Sequence, residues 1–288
     1  MPHLTAPKEA AQEQLRARLA KLSARQRREI EEAAGFPPNL ERVPETMWRR
    51  HEEEIEDELA AVLLLLWVTA GGNLFSLTGR PYDDETLARR GESWAGRRAS
   101  ETATAFVENT RKRLETVVKR TTTETTTREY REELDSVFSE SRAETVATTE
   151  TRAAVTEGEK SAADEIDRDG ADQSKPDATL RLTAYWGHDE YRPPGHAGAS
   201  VDPCPICTPM LGRALAELPI GFRGGPPAHP HCDCYVEWKD ASGSVVAGRD
   251  DTDPPTLDRL PALMKGRQPP RVPRRARRPE KFYQRQRR

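Results

Sequence analysis

All four cysteines of this 288-residue chain lie between positions 204 and 234. They form Cys204-Pro-Ile-Cys207 and then His229-Pro-His231-Cys232-Asp-Cys234. A Cys-x-x-Cys turn aims two sulfurs at one point. A second Cys/His cluster about two dozen residues later can close a tetrahedral site around Zn²⁺, which prefers thiolate and imidazole donors. Cys204, Cys207, His229, Cys232 and Cys234, with His231 as a sixth candidate, compete for about four positions. The expected set is Cys204, Cys207 and Cys232, completed by His229 or Cys234. The competing reading is four reduced cysteines that are simply buried. Four protein ligands leave no open position for an activated water, so the metal is expected to be structural.

Little else in the chain has the spacing that catalysis needs. There is no phosphate-binding GxxxxGK[ST] loop, no dinucleotide GxGxxG, no HExxH and no GxSxG. The N-terminus lacks the apolar segment of a secretory signal. Clustered cysteines beside histidines, with no such signal, point to metal binding in a reducing compartment rather than to disulfides.

The elements that must position this cluster are mostly helical. Residues 7–34 carry Leu15, Leu19, Leu22 and Ile30 near heptad spacing, and Gly35-Phe-Pro-Pro stops them. Residues 45–70 give a second helix, widened by the run Leu63-Leu-Leu-Leu66 until it must be buried on most sides. Its apolar stretch, 59–70, is shorter than the ~20 residues that span a bilayer, so no membrane partner is expected. Gly71-Gly72-Asn73 reads as its C-terminus and a loop. Helix resumes over 84–119, with breaks expected near Gly91 and Gly96. The threonine-rich stretch 121–127 reads as a junction or weak turn, because branched threonine loses χ1 freedom in a helix. Residues 128–163 form one long helix on this reading.

The texture then changes. Residues 164–178 are polar and punctuated by Gly and Pro, and are taken as a linker. Residues 180–186 and 234–238 alternate like short strands, with Pro- and Gly-rich loops between them. Beyond residue 249 the chain is Pro-rich and then Arg/Pro-rich. Residues 265–288 hold eleven Lys/Arg against Glu280, so +10 of charge sits on a chain whose formal net charge is −3, and the rest carries −13. Hydrophobic content of 35% and mean hydropathy of −0.83 allow narrow-striped helices but no large oily core throughout. The expected architecture is therefore α+β: a helical region over 1–163, a linker over 164–178, a small zinc-stapled β-containing module over 179–248, and a disordered basic arm over 249–288. The arm suits DNA phosphates, an acidic protein surface, or a solubilising role.

Two stretches together resemble the phage head morphogenesis (Mu F-like minor head) proteins. The first is Asp202-Pro-Cys204-Pro-Ile-Cys207, then Leu211-Gly212, then Pro226-Pro227-Ala-His229-Pro230-His231-Cys232-Asp-Cys234. The second is Arg142-Ala143-Glu-Thr-Val146-Ala147-Thr-Thr149-Glu150-Thr, which is similar to the family's R-A-x-x-I-A-x-T-E helix. The resemblance spans roughly residues 140–238. It departs at Thr148, where the family commonly has Arg, at His231, where it often has Asn, and at 188–200, which looks like an insertion. The resemblance implies a minor virion protein in capsid assembly near the portal. The helical region would bind portal or major capsid subunits, and the chain would act in DNA packaging or ejection. It would occur in the virion and, during assembly, in the host cytoplasm. Within the helix motif, Ala143, Ala147 and Ala154 would admit a close neighbour. Glu150 would either hydrogen-bond to that neighbour or remain a solvated charge. The rival classes are a zinc-stapled, metal-dependent nuclease using His188, His196 or His231, and a zinc-ribbon adaptor that binds nucleic acid.

Overall fold

A computed structural model describes residues 6–171, 181–187, 206–228 and 234–247. They are mostly helical, with one small antiparallel sheet, and so belong to the α+β class. Helix α1 (Ala6–Ala34) buries the Leu15, Leu19, Leu22 and Ile30 stripe. It ends at Gly35, whose φ of 69° is open to glycine at no steric cost. A short 3₁₀ turn, Leu40–Arg42, is capped by Asn39, whose side chain accepts from the Glu41 amide. Helices α2 (Glu45–Leu77), α3 (Asp84–Arg120), α4 (Thr127–Val137) and α5 (Glu140–Ala171) follow. Asp83 caps α3 by accepting from the Thr86 amide.

Helix α2 is the axis of the bundle and packs on α1, α3 and α5. Residues 62–68 are all buried, so the Leu63–Leu66 run faces protein on every side. Among the described helices α2 alone is long and apolar enough to cross a membrane, and 78% of its most apolar window is buried inside the fold.

Glycine is where local reading and structure part. Residues 71–73 do not end α2, which continues to Leu77. Gly91 and Gly96 do not break α3. Gly71, Gly72 and Gly91 make room for neighbours. A Cβ on Gly72 would lie 2.9 Å from the Tyr82 ring, and one on Gly91 would lie 2.7 Å from Trp67. A Cβ on Gly71 would lie 3.2 Å from the Gly158 carbonyl oxygen, and one on Gly158 only 2.2 Å from that of Trp67. Backbone therefore meets backbone where α2 crosses α5, and this packing overrides the poor helix propensity of glycine.

The helix expected over 128–163 is two helices. Helix α4 stops at Val137 and α5 starts at Glu140. The last carbonyls of α4 find side-chain donors instead of a further turn: Arg142 Nη1 donates to the Val137 oxygen at 2.8 Å, and Arg113 Nη2 to that of Ser136 at 3.1 Å. The threonine-rich stretch is a junction, as expected, with α3 ending at Arg120 and α4 starting at Thr127. It also holds a capping box: Thr126 accepts from the Glu129 amide while the Glu129 carboxylate accepts from the Thr126 amide. Helix α5 runs to Ala171, beyond the end expected near residue 163.

Strands β1 (Thr183–Gly187), β2 (Tyr235–Lys239) and β3 (Val245–Ala247) form an antiparallel sheet in the order β1-β2-β3. The first two were expected; β3 was not. Trp186 lies opposite Val236, and Ala184 opposite Trp238. The β2–β3 turn is built by Asp240, whose carboxylate accepts from the Ser242 and Ser244 amides, and by Gly243 at φ 82°. Trp186, Val236 and Trp238 join the same apolar cluster as the bundle. The basic arm over 249–288 and residues 172–178 of the expected linker lie outside the described residues, while residues 164–171 of that linker are the last turns of α5.

Candidate functional site

The described parts of the Cys/His segment adjoin the sheet. After β1 the described chain resumes at Ile206 and passes through three 3₁₀ turns, Thr208–Met210, Leu215–Glu217 and Ile220–Phe222. Cys207 caps the first of these, its carbonyl accepting from the Met210 amide at 2.9 Å. Gly212, at φ 70°, turns the chain so that its amide donates to the Trp186 oxygen at 2.8 Å. A Cβ there would meet nothing within 4 Å, so the glycine answers a backbone need alone. Cys234 sits immediately before β2.

Of the expected ligands, Cys207 and Cys234 are described, and both are buried, at 1% and 2% exposure. Cys204, His229 and Cys232 lie outside the described residues, as do His231, His188 and His196. Among the described residues, no group of three or more His, Cys, Asp or Glu side chains is placed to hold a metal ion. The two described thiols are soft donors kept from water, and each adjoins a segment that carries further candidate donors. That donor chemistry fits zinc.

The module rests on α5 through a seam of polar bonds. Arg152 Nη1 donates to the Cys234 carbonyl at 3.2 Å. The Trp238 indole N–H donates to Glu159 at 3.2 Å. Lys160 Nζ donates to the Gly224 carbonyl at 3.2 Å, and the Leu182 amide to the Asp167 carboxylate at 3.1 Å. Gly225 lets the loop close over the helix: a Cβ there would lie 3.1 Å from the Thr156 methyl. Arg152, Thr156, Glu159, Lys160 and Asp167 recur at helical spacing, so they share one face of α5. Arg152 and Glu159 are themselves buried.

The opposite demands of the bundle shape the rest of α5. Ala143, Ala147 and Ala154 are buried at its contacts with the other helices. Glu150 is not a solvated charge. It is 5% exposed and accepts a two-pronged bond from Arg98 of α3, Nε at 2.6 Å and Nη2 at 2.9 Å. Its partner on the neighbouring helix is a guanidinium. Thr148, at the position where the resembled family commonly has Arg, accepts from the Gln12 amide at 2.9 Å.

Arg142 places its guanidinium 4.1 Å over the Phe106 ring and donates to Thr110, Val137 and Phe106 oxygens. All three acceptors are neutral. Burial, helped by the charge of Arg113, pulls its pKa down to about 10. Arg142 thus ties α3, α4 and α5 together at their shared corner.

Arg98, Arg152 and Glu159 were not singled out from the sequence. The 4-and-3 spacing of Arg152, Thr156 and Glu159 is a second stripe on α5, and it was the one available signal. Nothing in the local sequence marks Arg98. Comparison of the chain with protein-family models, curated proteins and solved structures gave no match.

Proposed function

We propose that this chain is a minor virion protein of phage head assembly, acting near the portal, with a C-terminal module stapled by structural zinc. One observation supports the reading most. The helix that carries the first stretch is bonded to the last residue of the second: Arg152, just past the Thr149-Glu150 motif, donates to the carbonyl of Cys234. A helix motif and a cysteine motif that travel in that order have a physical reason to do so if each completes the other.

On this reading the helices supply the rigid body that contacts portal or major capsid subunits. Cys204, Cys207 and Cys232, with His229 or Cys234, hold the metal, and Zn²⁺ supplies cross-linking rather than chemistry. A loop-rich module of this size has little apolar area of its own, so metal binding would contribute directly to its folding. The role is not enzymatic. The Arg-rich arm adds a salt-sensitive contact with packaged DNA.

Particles purified from cells that make the chain should contain it, as read by mass spectrometry, together with zinc in proportion to it. Cys204→Ser should lose the metal and expose residues 181–247 to protease while sparing helices α1 to α5. Absence of the chain from particles would overturn the virion role. Mg²⁺-dependent nicking of plasmid DNA, abolished by His231→Ala, would replace it with the nuclease reading.

A further inference from the structure

We propose that the cleft between the end of α3 and the start of α4 docks the chain's own arginine-rich arm, residues 265–288. The cleft measures about 710 Å³, room for several side chains rather than one ion. Four carboxylates line it, those of Glu124, Glu129, Glu132 and Glu133, against the single guanidinium of Arg120. Helix α3, 37 residues long, ends on the same cleft, so the negative end of its dipole adds to that potential. The positive end of α4 is already answered by Glu129 in the capping box. The ion pairs present are loose: Arg120 to Glu133 at 4.0 Å and Arg128 to Glu132 at 3.6 Å, each between exposed side chains. Pairs of that kind contribute little and yield to a second cation. Tyr130 is an independent sign of a missing ligand. It lines the cleft, is 2% exposed, and its buried hydroxyl has no hydrogen-bond partner among the described residues. A buried hydroxyl left unpaired is costly, and a guanidinium donor entering the cleft can satisfy it.

The occupant follows from charge and reach. Among the described residues these carboxylates are not gathered as a metal site, and they suit a ligand that carries many positive charges. Residues 265–288 hold eleven Lys/Arg against Glu280, a net +10, and a guanidinium fork matches a carboxylate with two bonds. The last described residue is Ala247, at the end of β3, and residues 248–264, 17 in all, precede the arm. At ~3.5 Å per residue such a tether spans up to about 60 Å. Helix α3, the longest of the bundle, is about 55 Å long at ~1.5 Å per residue. The arm therefore reaches either end of the bundle. Because it is tethered, its effective concentration at the cleft is on the order of millimolar, and individually weak pairs suffice to hold it. A docked arm is withheld from phosphates, so the cleft would govern when it is free. The docking itself does not depend on the virion reading.

Zero-length carbodiimide coupling of the full chain tests this, because it joins a lysine amine to a carboxylate only where the two touch. At about 0.1 M salt, Lys265 or Lys281 should couple chiefly to Glu124, Glu129, Glu132 and Glu133, as mapped by mass spectrometry. The yield should not depend on protein concentration, since the contact lies within one chain. At about 1 M salt, where the screening length falls from about 10 Å to about 3 Å, the yield should drop about fivefold or more. Glu124→Gln, Glu132→Gln and Glu133→Gln combined leave the capping box intact and should cut coupling to Glu129 about fivefold. Glu85→Gln, Glu101→Gln and Glu108→Gln combined remove the same charge from exposed positions elsewhere on α3. Screening isolates those positions from the cleft, so coupling should stay within about twofold of wild type. Coupling spread over the carboxylates of the body at large, no coupling, or coupling untouched by the first triple variant would overturn the proposal. Coupling that rises with protein concentration would overturn it in favour of docking between copies. If the first triple variant fails to fold, the wild-type map and its salt dependence decide alone.

Discussion

Substituting Gly158 by alanine tests the close crossing of α2 and α5. The added Cβ would lie 2.2 Å from the Trp67 carbonyl oxygen, 2.9 Å from its carbonyl carbon and 3.0 Å from its Cα. All three atoms are backbone within a helix, so no rotamer change relieves the overlap. A carbon–oxygen contact needs about 1 Å more, and the helices must part by roughly that distance. Parting them loosens Leu63, Ala154 and Ala162, all of which have no exposed surface. Overpacking and lost contacts together cost about 3–5 kcal/mol, offset by the ~1 kcal/mol that alanine gains over glycine in a helix. The net expectation is a loss of about 2–4 kcal/mol, or roughly 5–15 °C in Tm for a domain of this size. Gly71→Ala is the internal comparison. Its Cβ would lie 3.2 Å from the Gly158 oxygen, an overlap of tenths of an ångström, so propensity and strain should nearly cancel, within about 1 kcal/mol. Urea and thermal unfolding followed at 222 nm measure both variants. Gly158→Ala as stable as wild type, or Gly71→Ala the more damaged of the two, would refute the argument.

Two further perturbations probe the buried charges. Arg98→Met leaves Glu150 buried without its guanidinium and should cost about 2–3 kcal/mol in chemical denaturation, less than a fully buried pair because Arg98 is about one-third exposed. Adding Glu150→Leu should recover much of that loss, and a double-mutant cycle with no coupling would show the pair to be incidental. His51 is 1% exposed and lies 2.7 Å from Glu29, and burial outweighs the carboxylate to pull its pKa below the ordinary 6.5. The folded state thus binds fewer protons than the unfolded one. Stability is full above pH 6.5 and falls as the solution is acidified below it. His51→Gln should flatten this dependence between pH 7.5 and 5, and an unchanged slope would assign it to other groups.

How far the sequence was legible depended on how local each signal was. Helix α1 reads correctly at both ends because its stripe and the Gly35 stop lie within its own residues. The same logic misled at Gly71 and Gly91, where glycine serves a partner on another element: Gly158 for the first, Trp67 for the second. The break at Phe138 was hidden because it is answered by arginines on α3 and α5. Thr126-x-x-Glu129 is a legible capping-box pattern, masked by the threonine run around it. At the candidate site, the cysteines announced themselves by spacing. Arg152 and Glu159 did not, since their partners are 82 and 79 residues away and one of them is a main-chain oxygen. Periodicity can say that such residues share a face, but not what the face meets.

The central position of α2 also sets the order in which the chain can be completed. Its Trp67 backbone packs on Gly158, about ninety residues later. At roughly 5–20 residues per second, a ribosome needs on the order of 5–20 seconds to supply that second surface. During that interval α1 and α3 can cover only part of the Leu63–Leu66 run, and the side awaiting α5 faces solvent. Newly made chains therefore pass through a stage with a long apolar flank on show. In a crowded cell that stage is the point at which they are most open to capture by a chaperone or by one another.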